Sequence, residues 1–162
     1  MNNKITTQEI ESLLCLAETD LRFGVAFRGA LSQIRIKKYL NSKGFKVFEN
    51  QSDNAGKPDF VVNGMTLEHK RAKAEKSKEG SIQAEFQKSR GRNPERLYEL
   101  NFADIVSVDV SAHTGNKNDY RFNFTTNLKT HQKYPNKIKS IQTIDNNWKS
   151  NLRLLVENKF RE

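Results

Sequence analysis

Cysteine is almost missing from this 162-residue chain, which has only Cys15, set in the apolar string ESLLCLA. One thiol excludes a disulfide framework and a multi-cysteine zinc site, and it suits a reducing compartment, so a cytoplasmic location is expected. Long apolar runs are missing too. No stretch approaches the roughly 18 residues that span a bilayer, and MNNKITTQEIES lacks the apolar segment of a secretory signal, so no membrane insertion is expected. No Gly-rich phosphate loop ends in Lys-Ser or Lys-Thr, and no serine or cysteine nucleophile has a plausible base beside it. ATP is not expected. Acidic residues are also short, nineteen against twenty-eight Lys and Arg, for a formal net charge of +9. Such an excess favours a polyanionic partner, either nucleic acid or an acidic membrane surface.

The chain has what a core needs. Apolar residues make up 35% and include ten Phe, so it is not a disordered basic tail. Its length fits one domain over residues 1–162, with an N-terminal helix over 6–20, a core over 26–110, and a C-terminal strand and helix over 120–158.

The pattern along the chain predicts a mixed α/β order. Ile10, Leu13, Leu14 and Ala17 recur at helical spacing behind Thr6 or Thr7 as N-cap. Past a hinge-like Phe23-Gly24, residues 26–42 form a second amphipathic helix on Phe27, Leu31, Ile34 and Tyr39 or Leu40. Phe45 to Glu49 and Asp59 to Val62 read as strands, and Asn63-Gly64 is a hairpin dipeptide that returns Met65 to Lys70 antiparallel. The charged RAKAEKSKEGS reads as a mobile loop, Ile82 to Ser89 as a short helix, and DIVSVDV (Asp104 to Val110) as the most strand-like segment. Arg121 to Thr125 follows as a strand, and Ile144 to Asn158 as a closing helix built on Trp148, Leu152, Leu155 and Val156.

Chemistry concentrates in KPDFVVNGMTLEHKRA, residues 57–72. Residues two apart on a strand share a face, so Glu68 and Lys70 point one way and His69 the other. The tight turn brings the start of the first strand beside the end of the second, which sets Asp59 next to Glu68 and Lys70. Two carboxylates supply hard anionic oxygens for Mg²⁺, which keeps several waters and asks for only one or two carboxylates, and the His69 carbonyl is a further candidate ligand. Lys70 is placed to position a water and to offset charge developing on phosphorus.

These residues resemble the signature of the PD-(D/E)xK nuclease superfamily, with Pro58-Asp59, Glu68 and Lys70 matching its proline, two acids and lysine. The resemblance covers about half the chain and is most like a small type II restriction endonuclease. It implies a restriction-endonuclease-like α-β-β-β-α-β core with a mixed central sheet flanked by helices. It also implies Mg²⁺ (with Mn²⁺ as substitute), hydrolysis of double-stranded DNA and catalysis by Asp59, Glu68 and Lys70. Cutting both strands of a symmetric site needs two centres and this chain has room for one, so a homodimer is expected. In one respect the chain departs from the pattern: residues 27–42 contain no acid, which leaves Glu18 or Asp20 as upstream ligands and Gln33 as the neutral polar group with reach. Holliday junction resolvases have a similar hairpin, and an inactive DNA-binding module is a further alternative.

Basic residues gather after the lysine: residues 70–96 hold nine cations against four acids. Arg71 and Lys73 can track a phosphate backbone or form a solvated face. Arg90, Arg92 and Arg96, around RGRNP, read as DNA contacts, and Gln83 and Gln87, on one face of the expected helix, orient a phosphate, read a base edge or serve solubility. The loops over 111–119 and 126–137 are candidate base readers. His69, His113 and His131 have no metal-cluster spacing, and an ordinary hairpin with a surface Glu68–Lys70 ion pair is the bland counterpart of the nuclease reading.

Overall fold

A computed structural model gives the structure of residues 4–50, 57–89 and 91–159. Two helices open the chain, α1 (Thr7–Thr19) and α2 (Leu21–Ser42), joined by Asp20 alone. Thr6 and Glu9 cap α1 reciprocally in a capping box, and the Asp20 carboxylate accepts from Phe23 N at 2.7 Å to start α2. Phe23-Gly24 is therefore not a hinge but the first turn of a longer helix. Gly24 is required there, because a Cβ would lie 2.4 Å from the Ala17 carbonyl oxygen.

The central sheet is mixed, in the order β1-β2-β3-β5-β6, with β1 (Val47–Glu49), β2 (Phe60–Val62), β3 (Met65–Arg71), β5 (Ile105–Asp109) and β6 (Tyr120–Phe124). The β2–β3 hairpin turns at Asn63 (φ 47) and Gly64 (φ 86), the left-handed pair that this dipeptide favours. Only β3 and β5 pair in parallel. A two-stranded sheet joins β4 (Gln83–Glu85) to β7 (Ile141–Thr143). The short α3 (Ser111–Thr114) follows β5, and α4 (Leu152–Lys159) closes the described chain.

Two cores lie on opposite faces of the central sheet. On one, Ile36 and Leu40 of α2 and Leu152 and Leu155 of α4 pack on Phe60, Leu67, Ile105 and Phe122. On the other, Ala84, Phe86, Tyr98, Ile138 and Trp148 cover Val106 and Val108. β5 feeds both cores, which is why all five of its residues are buried. None of the described helices is long and apolar enough to cross a membrane.

Three expectations are corrected. Ile82 to Ser89 is not a helix: Ile82, Ala84 and Phe86 alternate with Gln83, Glu85 and Gln87, a period of two that suits β4, and the inward set meets the second core. The expected α-β-β-β-α-β order therefore lacks its inner helix, and the segment between β3 and β5 holds β4 and turns instead. RAKAEKSKEGS is an ordered return rather than a mobile loop, with Lys73 N bonded to Gln83 O at 2.8 Å and Ser77 N to Ser81 O at 2.8 Å. The closing helix begins at Leu152, not Ile144. Asp145-Asn146-Asn147 turns the chain, Asp145 accepting from Asn147 N at 3.0 Å, and this puts Trp148 in one core and Leu152 in the other.

Candidate active site

The β2–β3 register pairs Phe60 with Leu67, so Asp59 and Glu68 fall next to one another just past the paired residues. Asp59 does not extend freely. Its Oδ2 accepts from His69 N at 2.9 Å and its Oδ1 accepts from Gln33 Nε2 at 3.0 Å. Burial and the neighbouring Glu68 push the Asp59 carboxyl up to about 6, even though the His69 N–H and Lys70 pull the other way.

Glu68 is 4% exposed on the face of β3 turned toward the second core. Lys70 Nζ lies 2.7 Å from Glu68 Oε1, Tyr98 Oη donates to the same oxygen at 2.9 Å, and Lys70 Nζ donates to Tyr98 Oη at 3.3 Å. The three groups close a triangle. Burial would lower the Lys70 ammonium, and Glu68 beside it more than reverses that, so the ammonium stays charged. Burial and Glu68 push the Tyr98 phenol up to about 12, which keeps its proton available to donate.

Gln33 and Tyr98 complete the constellation. Gln33 stands out in the sequence as the polar group of its helix, but its partner depends on how α2 crosses the sheet. Tyr98 carries no local signal: it lies thirty residues from Glu68 and arrives on the returning arm of a loop, where Gln87 bridges Leu97 and Lys88 N bonds Arg96 O at 2.8 Å. Asp20 is not an upstream ligand, since it caps α2, and thirteen helical residues, about 20 Å of rise, separate it from Gln33. Glu18 is exposed on α1, on the far side of that cap.

The back of β3 carries a second polar set. His69 is 4% exposed, with Nε2 2.8 Å from Ser32 Oγ and Nδ1 2.8 Å from Ser107 Oγ, and Ser32 Oγ donates to Asp109 Oδ2 at 3.0 Å. One arrangement of protons satisfies all of them: Ser107 donates to Nδ1, Nε2–H donates to Ser32, and Ser32 donates to Asp109. Burial lowers the His69 imidazole to about 3, in keeping with this neutral ring. Burial works against the Asp109 charge, but hydrogen bonds from Ser111 and Ser32 prevail and hold its carboxyl below the ordinary range.

The residues expected to contact DNA are spread around the front. Arg71, Lys73 and Arg92 are exposed, whereas Arg96 is partly buried, its Nε donating to Lys88 O at 3.2 Å. Gln83 and Gln87 do not share a helix face: Gln83 is paired in β4, and Gln87 beyond it donates to Glu85 Oε1 at 2.5 Å. Arg90 lies outside the described residues. Phe122 is fully buried and Phe124 packs against the same core.

Among the described residues no group of three or more His, Cys, Asp or Glu side chains could hold a metal ion. Two carboxylates and a main-chain carbonyl nevertheless suit Mg²⁺, which completes its shell with water and phosphate. The hydrogen bonds to Asp59 leave lone pairs on both of its oxygens, and a cation there would offset the burial and the Glu68 charge that together raise its pKa. The donor set fits.

No protein-family profile matches the sequence, and no curated protein does. Among solved structures the chain is similar to the bacterial homing endonuclease I-Ssp6803I, with a TM-score of 0.55 and 12% identity over 85% of this chain and 96% of that one. At that identity the likeness is one of fold, and it takes in nearly the whole of the other chain.

Proposed function

We propose that the chain is a metal-dependent endonuclease of the PD-(D/E)xK type that cuts double-stranded DNA at specific sites, as a restriction or homing enzyme does. The observation that carries this reading is the meeting of Asp59, Glu68 and Lys70 at the open end of the β2–β3 hairpin, in a chain of charge +9. The fold shared with a homing endonuclease supports it independently. A solvated hairpin ion pair accounts poorly for Glu68, since a buried carboxylate carries a desolvation cost that an exposed one avoids.

Asp59, Glu68 and the His69 carbonyl would hold Mg²⁺ or Mn²⁺. When bound, the ion supplies Lewis-acid polarisation of the scissile phosphate. Gln33 and the His69 N–H fix the direction of the Asp59 carboxylate. Lys70 stays protonated, so its part is electrostatic: it orients a water and offsets the charge that grows on the phosphoryl oxygens. Tyr98 holds Glu68 and Lys70 in register. Arg71, Lys73 and Arg92 offer charge to the flanking backbone.

Incubating a long duplex DNA with the protein, with and without Mg²⁺, and mapping the ends tests the reading. Discrete fragments that require the metal are expected. A smear, cutting confined to four-way junctions, or no metal-dependent cutting would overturn the site-specific assignment.

A further inference from the structure

The exposed large apolar side chains are concentrated at the N-terminus. Ile10, Leu13, Leu14 and Leu16 on α1 and Leu21 and Val25 on α2 expose between 37% and 79% of their surface. The cause is the one-residue junction at Asp20. With no chain to spare for a return, α1 meets the rest of the protein near its own C-terminus, and Ala17 is its only buried residue. A helix of thirteen residues is marginal in water without an apolar face to bury, whatever its caps contribute. The stripe at 10, 13 and 14 has helical spacing and lacks a counterpart among the described residues.

We propose that this arm packs against a second copy of the same chain, α1 of each protomer lying on the α1–α2 elbow of the other about a two-fold axis. Charge selects the occupant. Over residues 7–20 the chain carries Glu9, Glu11, Glu18 and Asp20 and no cation, in a protein that is otherwise strongly basic. Nucleic acid and anionic lipid are repelled by such a surface. The elbow of another copy offers what it lacks, with Leu21 and Val25 flanked by exposed Arg22 and Arg28. α1 is about 20 Å long, and its apolar stripe continues onto the first turns of α2 at Leu21 and Val25. The inference deepens the nuclease reading, which requires two centres to cut two strands.

The test is sedimentation equilibrium of the full chain, alongside Leu14→Lys and Leu21→Lys. Both positions are exposed, so the variants keep the fold, and circular dichroism checks it. Wild type is expected to be a dimer at micromolar concentration, each variant raising the dissociation constant at least tenfold. A monomeric wild type, variants that dimerise unchanged, or a monomer that sediments with phosphatidylcholine vesicles would overturn the inference. Metal-dependent cleavage is read separately. A dimer that both variants weaken but that cuts no duplex upholds this interface and defeats the nuclease reading, and a monomer that cuts does the reverse.

Discussion

Three consecutive residues of β3 build two polar sites on opposite faces of one sheet. On the front, Glu68 and Lys70 meet Tyr98 as a buried ion pair. On the back, His69 meets Ser32 and Ser107 as a neutral chain of hydrogen bonds. Both are buried, and both include atoms that cannot be left without partners. The difference lies in how charge is met. The back ends on the Asp109 carboxylate, whose oxygens already accept hydrogen bonds from Ser32 and Ser111. The front keeps two carboxylates close together, Glu68 held by Lys70 and Tyr98 and Asp59 pushed up to about 6 by burial and by Glu68. Alternation along a strand lets one segment build two different polar sets, joined through the His69 main chain, whose N–H holds Asp59.

The sharpest way to break this contrast is to remove the front. Glu68→Ala and Lys70→Ala should each lower cleavage by at least about 10²-fold while leaving DNA binding in Ca²⁺ largely intact, as gel shift and plasmid cleavage will measure. Undiminished cutting by either would remove these residues from the chemistry. On the back, His69→Leu strands the buried Ser107 hydroxyl, leaves Ser32 with Asp109 alone, and should cost about 2 kcal/mol in urea unfolding, with cleavage per folded molecule kept within about tenfold. A loss as large as that of the front variants would mean that the two faces act as one site.

The faces also differ in their response to pH. His69, lowered to about 3 from an ordinary 6.5, binds a proton more readily unfolded than folded, so its contribution to stability is complete above 6.5 and lost as the pH falls toward 3. Asp59, raised to about 6 from an ordinary 3.8, binds its proton more tightly when folded, so its contribution is complete below 3.8 and lost as the pH rises through 6. Between roughly 4 and 6 the slopes oppose one another. Urea midpoints across this window should fall with rising pH more steeply in His69→Leu than in wild type, and an unchanged slope would contradict the neutral ring. Metal-dependent cleavage should decline below about pH 6, where Asp59 holds a proton in place of the cation. The smallest effect belongs to Tyr98→Phe. Losing the hydroxyl that joins Glu68 to Lys70 should cost about tenfold in activity or metal affinity and about 1 kcal/mol of stability, and an unaffected variant would make Tyr98 a packing residue alone.

The hairpin and what it carries were legible from residue order alone. Asn63-Gly64 has few ways to turn, and a period of two then forces Asp59, Glu68 and Lys70 to one end with His69 behind. So were α1, from a threonine N-cap at 6 or 7 and the 10-13-14-17 spacing, and the strand DIVSVDV. Local composition misled where two patterns overlapped. Gln, Ala and Glu in 82–89 have helical propensity, but the inward alternation of Ile82, Ala84 and Phe86 prevailed once β7 supplied a partner sixty residues away. The tertiary structure alone decided who stands around the hairpin: Gln33 on Asp59, Tyr98 on Glu68, Ser32 and Ser107 on His69. Those partners lie 26 to 38 residues from the groups they touch. Strand and helix periods fix which way a side chain points, while the partner it meets is set by how the helices and loops cross the sheet, and that follows from burying two cores at once.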